Sequence, residues 1–400
     1  MTQVSGNGPT RRVLALNSGS SSLKFGLYNT GPIGIDCLLT GEVDSIGEAT
    51  AGFHAEDGCG HTLLRETTPI PDQRDAVRRI GQLLTDMKMP SPSAIGHRIV
   101  HGGPRLREHC LVEPTVLEEL EAAISFAPVH TPAALSVLRY AAEHFPGLPQ
   151  AVCFDTTFHA RMPPVASTLP LPQDLGLTGF QRYGFHGLSC ESIVQQLGRA
   201  LPARLLIAHL GNGASVTAVR NGVSIDTSMG LTPTGGLIMG TRSGDLDPGV
   251  LVHLMRTLQL DATAMEELLD RRSGMLGISG LSGDLRSLHA AAAASGRAQL
   301  AIKMFCYAAA KQLGAMSAAL NGVDLIVFTG GIGEHDAQVR SDICSRLAFM
   351  GVLLDEPRNR QGRGVISSAR SPCEVQVLPS QEDEQIARHT AALCRDLRRR

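Results

Sequence analysis

The chain has no tryptophan, and aromatic residues make up only 4% of it. That scarcity argues against the stacked aromatic platform used to bind single-stranded nucleic acid. A formal net charge of −2 gives no general attraction to nucleic acid or to an anionic membrane. No apolar stretch is as long as the roughly eighteen residues a membrane-spanning helix requires. The segment Met1 to Arg12 also lacks the apolar centre of a signal peptide. The nine cysteines (Cys37, Cys59, Cys110, Cys153, Cys190, Cys306, Cys344, Cys373 and Cys394) include no close pair, so neither a zinc ribbon nor a redox pair is indicated. Their odd number fits reduced thiols better than a disulfide framework. The expectation is a soluble cytoplasmic protein with no nucleic-acid partner and no membrane attachment, whose anionic ligands are held by a few local cations and backbone amides.

What is present is ordinary for a globular chain: 43% hydrophobic and 18% charged residues over a length of 400. That length exceeds one comfortable core, so two domains are expected. The apolar run Val13 to Asn17 stops at Ser18-Gly-Ser-Ser-Ser22, and a second strand-like piece, Leu23 to Tyr28, follows. The same plan recurs as Leu205 to Leu210, Gly211-Asn-Gly-Ala-Ser215 and Val216 to Val219. A third unit runs from Val323 to Thr329 into Gly330-Gly-Ile-Gly333. The weak repeat suggests two halves of common design. Helical spacing marks Asp75–Asp86, Pro114–Ser125, Thr131–His144 and Leu285–Leu320, the last with a break near Ser295-Gly296. Alternation of strands and helices favours an α/β class. The first domain is placed at 1–155, ending where an apolar strand runs into Asp155, and the second at 156–385. A basic helical end, 386–400, is expected to pack back on the first half.

Glycine lets backbone approach a ligand closely and aim successive N–H groups at phosphate, and Lys24 adds a cation just beyond the first loop. None of the loops closes with Gly-Lys-Ser or Gly-Lys-Thr, and Gly211-Asn-Gly lacks the third glycine of a dinucleotide loop. A phosphate cradle of another kind is the sharper reading; an ordinary hairpin turn is the bland one.

Asn17-Ser-Gly-Ser-Ser-Ser-Leu-Lys24 resembles the first signature of acetate kinases. Further blocks match that family in order: Gly96-His-Arg-Ile-Val-His-Gly-Gly103, Ala127-Pro-Val-His130, Val152-Cys-Phe-Asp-Thr-Thr-Phe-His159 and Arg182-Tyr-Gly-Phe-His-Gly187. His209 to Ser215, Asp226 to Gly230, Met239 to Pro248, Gly277 to Arg286, the Gly330 loop and Asp355-Glu356 complete the series. The resemblance covers roughly residues 13–390. It implies two duplicated actin-like ATPase (ribonuclease H-like) domains with a nucleotide cleft between them. It further implies an ATP-dependent transferase that phosphorylates acetate, with Mg2+ (Mn2+ as an alternative ion) and ATP/ADP as co-substrate, working as a homodimer.

The implied site residues follow block by block. Arg98 binds the substrate carboxylate, a role suited to a planar guanidinium, and Val100, Val129 and Pro233 take the methyl group. Arg242 and His186 meet the phosphoryl group in flight, and His130 lies near the reacting carboxylate. Asp155 organises magnesium and the arginines, since an acetate already ionised at pH 7 needs no general base. Asn17 and Glu382 are assigned to the metal. Lys24, His209, Leu210, Gly211, Asn212 and Gly213 line the phosphates. Asp284, Leu285, Arg286, Gly331, Ile332, Gly333, Glu334 and His335 surround the adenosine. His97 and His101, four apart, would form half a zinc site on a helix, but the glycines and β-branched residues around them indicate a strand or turn. His159 has no assigned role.

The chain departs from the family at Thr131 and His335 (usually Asn), at Gly235 (usually Glu) and at Gly187-Leu-Ser-Cys190 (usually Gly-Thr-Ser-His). Gly235 is expected to loosen the loop that carries Pro233, and His335 to alter contacts to the base. Leu is common where this chain has Val129, so propionate is the near alternative substrate. A nucleotide-binding regulator without catalysis is the distant one.

Overall fold

The computed structural model describes residues 10–19, 21–31, 34–128, 130–176 and 178–396, and divides into two compact units. The first runs to Thr157 and resumes at Gln381; the second is Phe158–Ser380. The expected end of the second domain at residue 385 is thus corrected to Ser380, because the helix Glu382–Asp396 packs along its length on the sheet of the first unit.

The first unit is built on β1 (Arg11–Ser18), β2 (Leu23–Thr30), β3 (Ile35–Asp44), β4 (Ala51–Asp57), β5 (Thr62–Thr68), β6 (Ala94–Ile99), β7 (Cys110–Leu111) and β8 (Gln150–Phe154). Their order is β5-β4-β3-β2-β1-β6-β8-β7. β1 pairs antiparallel with β2 and parallel with β6, so it is central and buried from Val13 onward. This explains its unbroken apolar run, where a half-exposed strand would alternate. The helix Gln73–Asp86 begins at Asp72, whose carboxylate accepts from Asp75 N at 2.9 Å. It buries Val77, Ile80 and Leu84 in a core with Leu14, Leu16, Phe25 and Leu27. A separate cluster joins Ile99, Leu120, Leu135, Leu138 and Phe154.

The second unit is built on β9 (Arg204–Leu210), β10 (Ala214–Arg220), β11 (Val223–Thr227), β12 (Leu325–Thr329), β13 (Gly364–Val365) and β14 (Glu374–Val377), ordered β11-β10-β9-β12-β14-β13. Each sheet contains a three-strand antiparallel meander followed by two parallel strands and a short antiparallel one. The β1–β2 and β9–β10 turns therefore hold the same topological place, which is the duplication the weak repeat suggested. Cys190, Ile193, Leu205, Ile207 and Val327 form part of its core. The expected helical stretch from Leu285 is two helices, Leu285–Ala291 and Gly296–Leu320; the Ser295 hydroxyl caps the second by accepting from Ala298 N. The third glycine segment, read as a loop, is a short helix, Gly330–His335, that starts directly from β12. No helix among the described residues is long and apolar enough to cross a membrane.

Candidate functional site

In the first unit, β1, β6 and β8 run parallel, so their carboxyl ends come to one edge of the sheet, where open α/β sheets collect ligands. Asn17 and Arg98 lie near two of those ends, and Asp155 directly follows the third. Arg98 Nη2 donates to Asp155 Oδ2 at 2.6 Å, and Nε donates to both carboxylate oxygens at 3.1 Å. Asp155 is 1% exposed, so this is a buried ion pair. Arg98 Nη1 reaches Asn17 Oδ1 at 3.4 Å and the Ser18 carbonyl at 3.5 Å. Burial alone would lower the Arg98 pKa, but Asp155, Glu382 and Asp383 outweigh it and hold the guanidinium firmly charged.

The first turn of the Glu382–Asp396 helix brings two carboxylates to the same place. Asn17 Nδ2 donates to Glu382 Oε2 at 3.1 Å and to Asp383 Oδ1 at 2.9 Å. Burial, partly countered by Asn17, and the charge of Glu382 push the Asp383 carboxyl up to about 6. Lys24, which pairs with Asn17 across β1 and β2, acts in the opposite direction. Crowded carboxylate oxygens on a buried amide suit a hard divalent cation such as magnesium. The Asn17 oxygen is turned toward Arg98, so an Asn17 contact to such an ion would run through water. Asp383 had not been singled out in the sequence; the only signal was its place within Gln381-Glu-Asp-Glu384.

His130 is the residue from which the helix Thr131–His144 starts, and its carbonyl accepts from Ala134 N at 3.3 Å. Val100 is buried just beyond β6. Val129 lies outside the described residues. His97 sits on β6, buried, with Nε2 at 2.5 Å from Gln150 Oε1, and His101 Nδ1 accepts from Gly103 N at 2.8 Å. The two histidines are therefore not a helical pair.

In the second unit, Gly211 N donates to Gly213 O at 3.0 Å, which closes the β9–β10 turn. A methyl group placed on Gly213 would stand 3.0 Å from Arg242 Nη2 and 3.2 Å from His186 Nε2. The guanidinium and the imidazole thus converge over a glycine that leaves them room. His186 precedes the helix Gly187–Leu197 with φ +58°, a left-handed conformation for a residue bearing a Cβ. Its Nδ1 lies 2.9 Å from Ser215 Oγ, and its ring stacks on His209 at 4.1 Å between centroids. A serine hydroxyl donating to Nδ1 leaves Nε2 as the ring donor. His209 Nδ1 in turn meets Ser189 Oγ at 2.8 Å.

Arg242 Nη1 donates to the Pro233 carbonyl at 2.7 Å. The loop around Pro233 is further tied by Thr234 Oγ1 to Asp270 at 2.5 Å and by Gly236 N to Asp245 at 2.7 Å. These ties flank Gly235, the position where the family usually has Glu. Gly240 N donates to Asn212 O at 3.2 Å, and Gly240 packs on the backbone of Gly283, so the Arg242 loop is joined both to the β9–β10 turn and to the start of the Asp284 segment.

Asp284 caps the helix Leu285–Ala291 by accepting from Arg286 N at 2.8 Å, and Arg286 Nη2 donates to its other oxygen at 2.6 Å. Those Arg286 bonds hold the Asp284 carboxyl below its ordinary range. Leu285 is buried, while the Arg286 side chain is 92% exposed. At the Gly330–His335 helix, Glu334 Oε1 accepts from Gly330 N at 2.9 Å and from Ser380 N at 3.0 Å. Gly331 and His335 are exposed, Gly333 is buried and Ile332 is half-buried. Arg340, 1% exposed, donates from Nη1 to the carbonyls of Gly333 and Glu334 at 2.9 Å and from Nε to Asn359. Arg340 thereby fixes the end of the predicted nucleotide segment, and nothing in its local sequence distinguishes it from a surface arginine.

A model of the acetokinase family matches residues 12–388. Acetate kinase 2 of Neisseria meningitidis is 40% identical over 398 residues, covering 95% of this chain and 98% of its own. The acetate kinase of Rhodopseudomonas palustris is 42% identical over 388 residues, covering 94% and 97%. Among solved structures, Porphyromonas gingivalis acetate kinase is 38% identical with a TM-score of 0.83, covering 96% of this chain and 100% of that one. A propionate kinase from Francisella tularensis is 36% identical with a TM-score of 0.88 and the same coverage.

Proposed function

The chain belongs to the acetokinase family, and from that premise we propose that it transfers the γ-phosphoryl group of ATP reversibly to acetate, giving acetyl phosphate and ADP. The observation that carries the reading is the convergence of Arg242 and His186 over Gly213, in the turn that corresponds to the phosphate-lining loop.

Joining an anionic carboxylate to an anionic phosphate is mainly a problem of position and charge. A carboxylate oxygen forms the new bond to the γ-phosphorus as the bond to the β–γ bridging oxygen breaks, and the electron pair leaves on ADP. No proton has to leave acetate. Arg242 and the Nε2–H of His186 donate to the equatorial oxygens as their charge redistributes. Arg98, charged and held in place by Asp155, binds the carboxylate beside Val100, with His130 on the same side of the chemistry. When bound, magnesium neutralises phosphate charge; Glu382, Asp383 and, through water, Asn17 are the residues to hold it. The β9–β10 turn, the Asp284–Arg286 segment and the Gly330–His335 helix are assigned to the nucleotide.

The protein is further proposed to be a cytoplasmic homodimer. The helix Pro248–Leu258 has no buried residue, and Val250, Val252, Met255 and Leu258 stand exposed on it. Such a run of apolar side chains fits burial against a second copy.

The test is direct. Purified protein supplied with ATP, magnesium and acetate in hydroxylamine should yield acetyl hydroxamate, and with acetyl phosphate and ADP it should yield ATP. Absence of both products overturns the reading. The likeness to a propionate kinase keeps propionate as a second acceptor. A larger kcat/KM for propionate than for acetate would make it the first.

A further inference from the structure

We propose that His159 is a positioning residue for His186, acting through the carbonyl of Phe185. The inference rests on the phosphoryl-transfer role given to His186 above.

His159 ends the short turn Thr157–His159 and is 1% exposed. Its Nε2 lies 2.9 Å from Phe185 O and its Nδ1 lies 2.8 Å from Ser224 Oγ, on β11. A carbonyl can only accept, so Nε2 carries the proton and Nδ1 accepts the serine hydroxyl. The two partners thus fix one tautomer, and burial keeps the ring neutral by pushing its pKa down to about 4.

Phe185 O belongs to the peptide group that enters His186. Holding that oxygen holds the peptide plane, and the plane sets the φ of His186. The value of +58° costs a residue with a Cβ about 1–2 kcal/mol, so it persists only where neighbours enforce it. On the other side, the His186 carbonyl accepts the Cys190 N–H of the following helix at 3.0 Å. The peptide is therefore pinned before and after the strained residue. The approach to it is shaped by the same imidazole: a methyl group on Gly184, itself at φ +73°, would lie 2.8 Å from the His159 ring. Released from His159, the Phe185 peptide is free to rotate toward ordinary φ. The His186 ring would then leave Ser215 Oγ and its station over Gly213.

Two amide replacements separate this role from simple packing. In His159→Gln the amide nitrogen takes the place of Nε2 and can still donate to Phe185 O. In His159→Asn the amide reaches only the Nδ1 position, so the Ser224 contact survives and the Phe185 contact is lost. For H159N the expected result is a kcat lowered at least about tenfold with KM for both substrates nearly unchanged, and for H159Q recovery of most of that loss at a similar melting temperature. Imidazole 15N resonances of His186, identified by their loss in His186→Asn, should move in H159N and stay in place in H159Q. If H159N does not fold, Ser224→Ala, which removes the contact that anchors the far side of the imidazole, should give the same kcat-selective loss at smaller amplitude.

Equal kcat in H159N and H159Q, or unmoved His186 resonances in folded H159N, overturns the proposal. So does unchanged kcat in folded S224A when H159N is insoluble. A wild-type protein without kinase activity would refute the functional reading instead, and the resonance comparison would still decide the positioning.

Discussion

Arg98 and Asp155 form a buried ion pair in which the Nε–Nη2 edge of the guanidinium grips a carboxylate only 1% exposed. In the proposed reaction an acceptor carboxylate would meet an arginine whose orientation is already set by Asp155 and whose charge is held by Asp155, Glu382 and Asp383.

Removing one member of the pair should cost more than removing both. Asp155→Ala takes from a buried cation its directly bonded carboxylate, leaving only the more distant charges of Glu382 and Asp383, and a loss of about 3 kcal/mol in urea unfolding is expected. Arg98→Ala combined with Asp155→Ala should recover part of that stability but none of the activity. A double variant no more stable than the single one would show that the pair is not coupled as described.

Gly213→Ala tests the convergence over the β9–β10 turn. The added methyl meets Arg242 Nη2 at 3.0 Å and His186 Nε2 at 3.2 Å. A fall in kcat of about a hundredfold is expected from such displacement of the reacting groups, with little change in melting temperature. Full activity in G213A would mean that neither side chain works from its observed position.

His97 and His159 are both buried and pushed down to about 4, from an ordinary 6.5, chiefly by desolvation. The unfolded chain therefore binds more protons than the native one between those values, so stability rises with pH across the window. It is fully present above about pH 6.5 and lost as the pH falls toward 4. About 2 kcal/mol per histidine should disappear between pH 7 and pH 5. Urea midpoints at the two pH values measure it, and His97→Gln should flatten the difference; an unaltered slope would remove His97 as its source.

Val252→Glu together with Met255→Glu places charge on the exposed face of the helix Pro248–Leu258. Light scattering after size exclusion should show a dimer converted to a monomer that keeps its far-ultraviolet circular dichroism. A variant that remains dimeric would move the interface elsewhere.

The strands were legible because central β-strands write themselves as continuous apolar runs, as Val13–Leu16 and Leu205–Ala208 do. The glycine turn at Gly211–Gly213 was legible because close backbone approach demands a missing side chain. The Gly330 segment was read as a loop since glycine disfavours helix, whereas its start is held by Glu334 and its end by Arg340, contacts that no local pattern reveals. Asp383 was missed for a related reason. Within an acidic run, only the packing of its helix on β1 decides which carboxylate meets Asn17. Arg98 and Asp155 could be nominated separately, but their pairing arises from parallel alignment of β6 and β8.

The chain leaves the first unit at Thr157 and re-enters it at Gln381. On a ribosome, which delivers residues from the amino terminus, the second unit is thus complete before the first has received the helix Glu382–Asp396. Asn17 waits for Glu382, a partner 365 residues later, so the acidic cluster cannot form until the whole second unit has been synthesised. A nascent chain stalled before that helix would contain a finished second unit and a first unit in which Asn17 still lacks the carboxylates of Glu382 and Asp383.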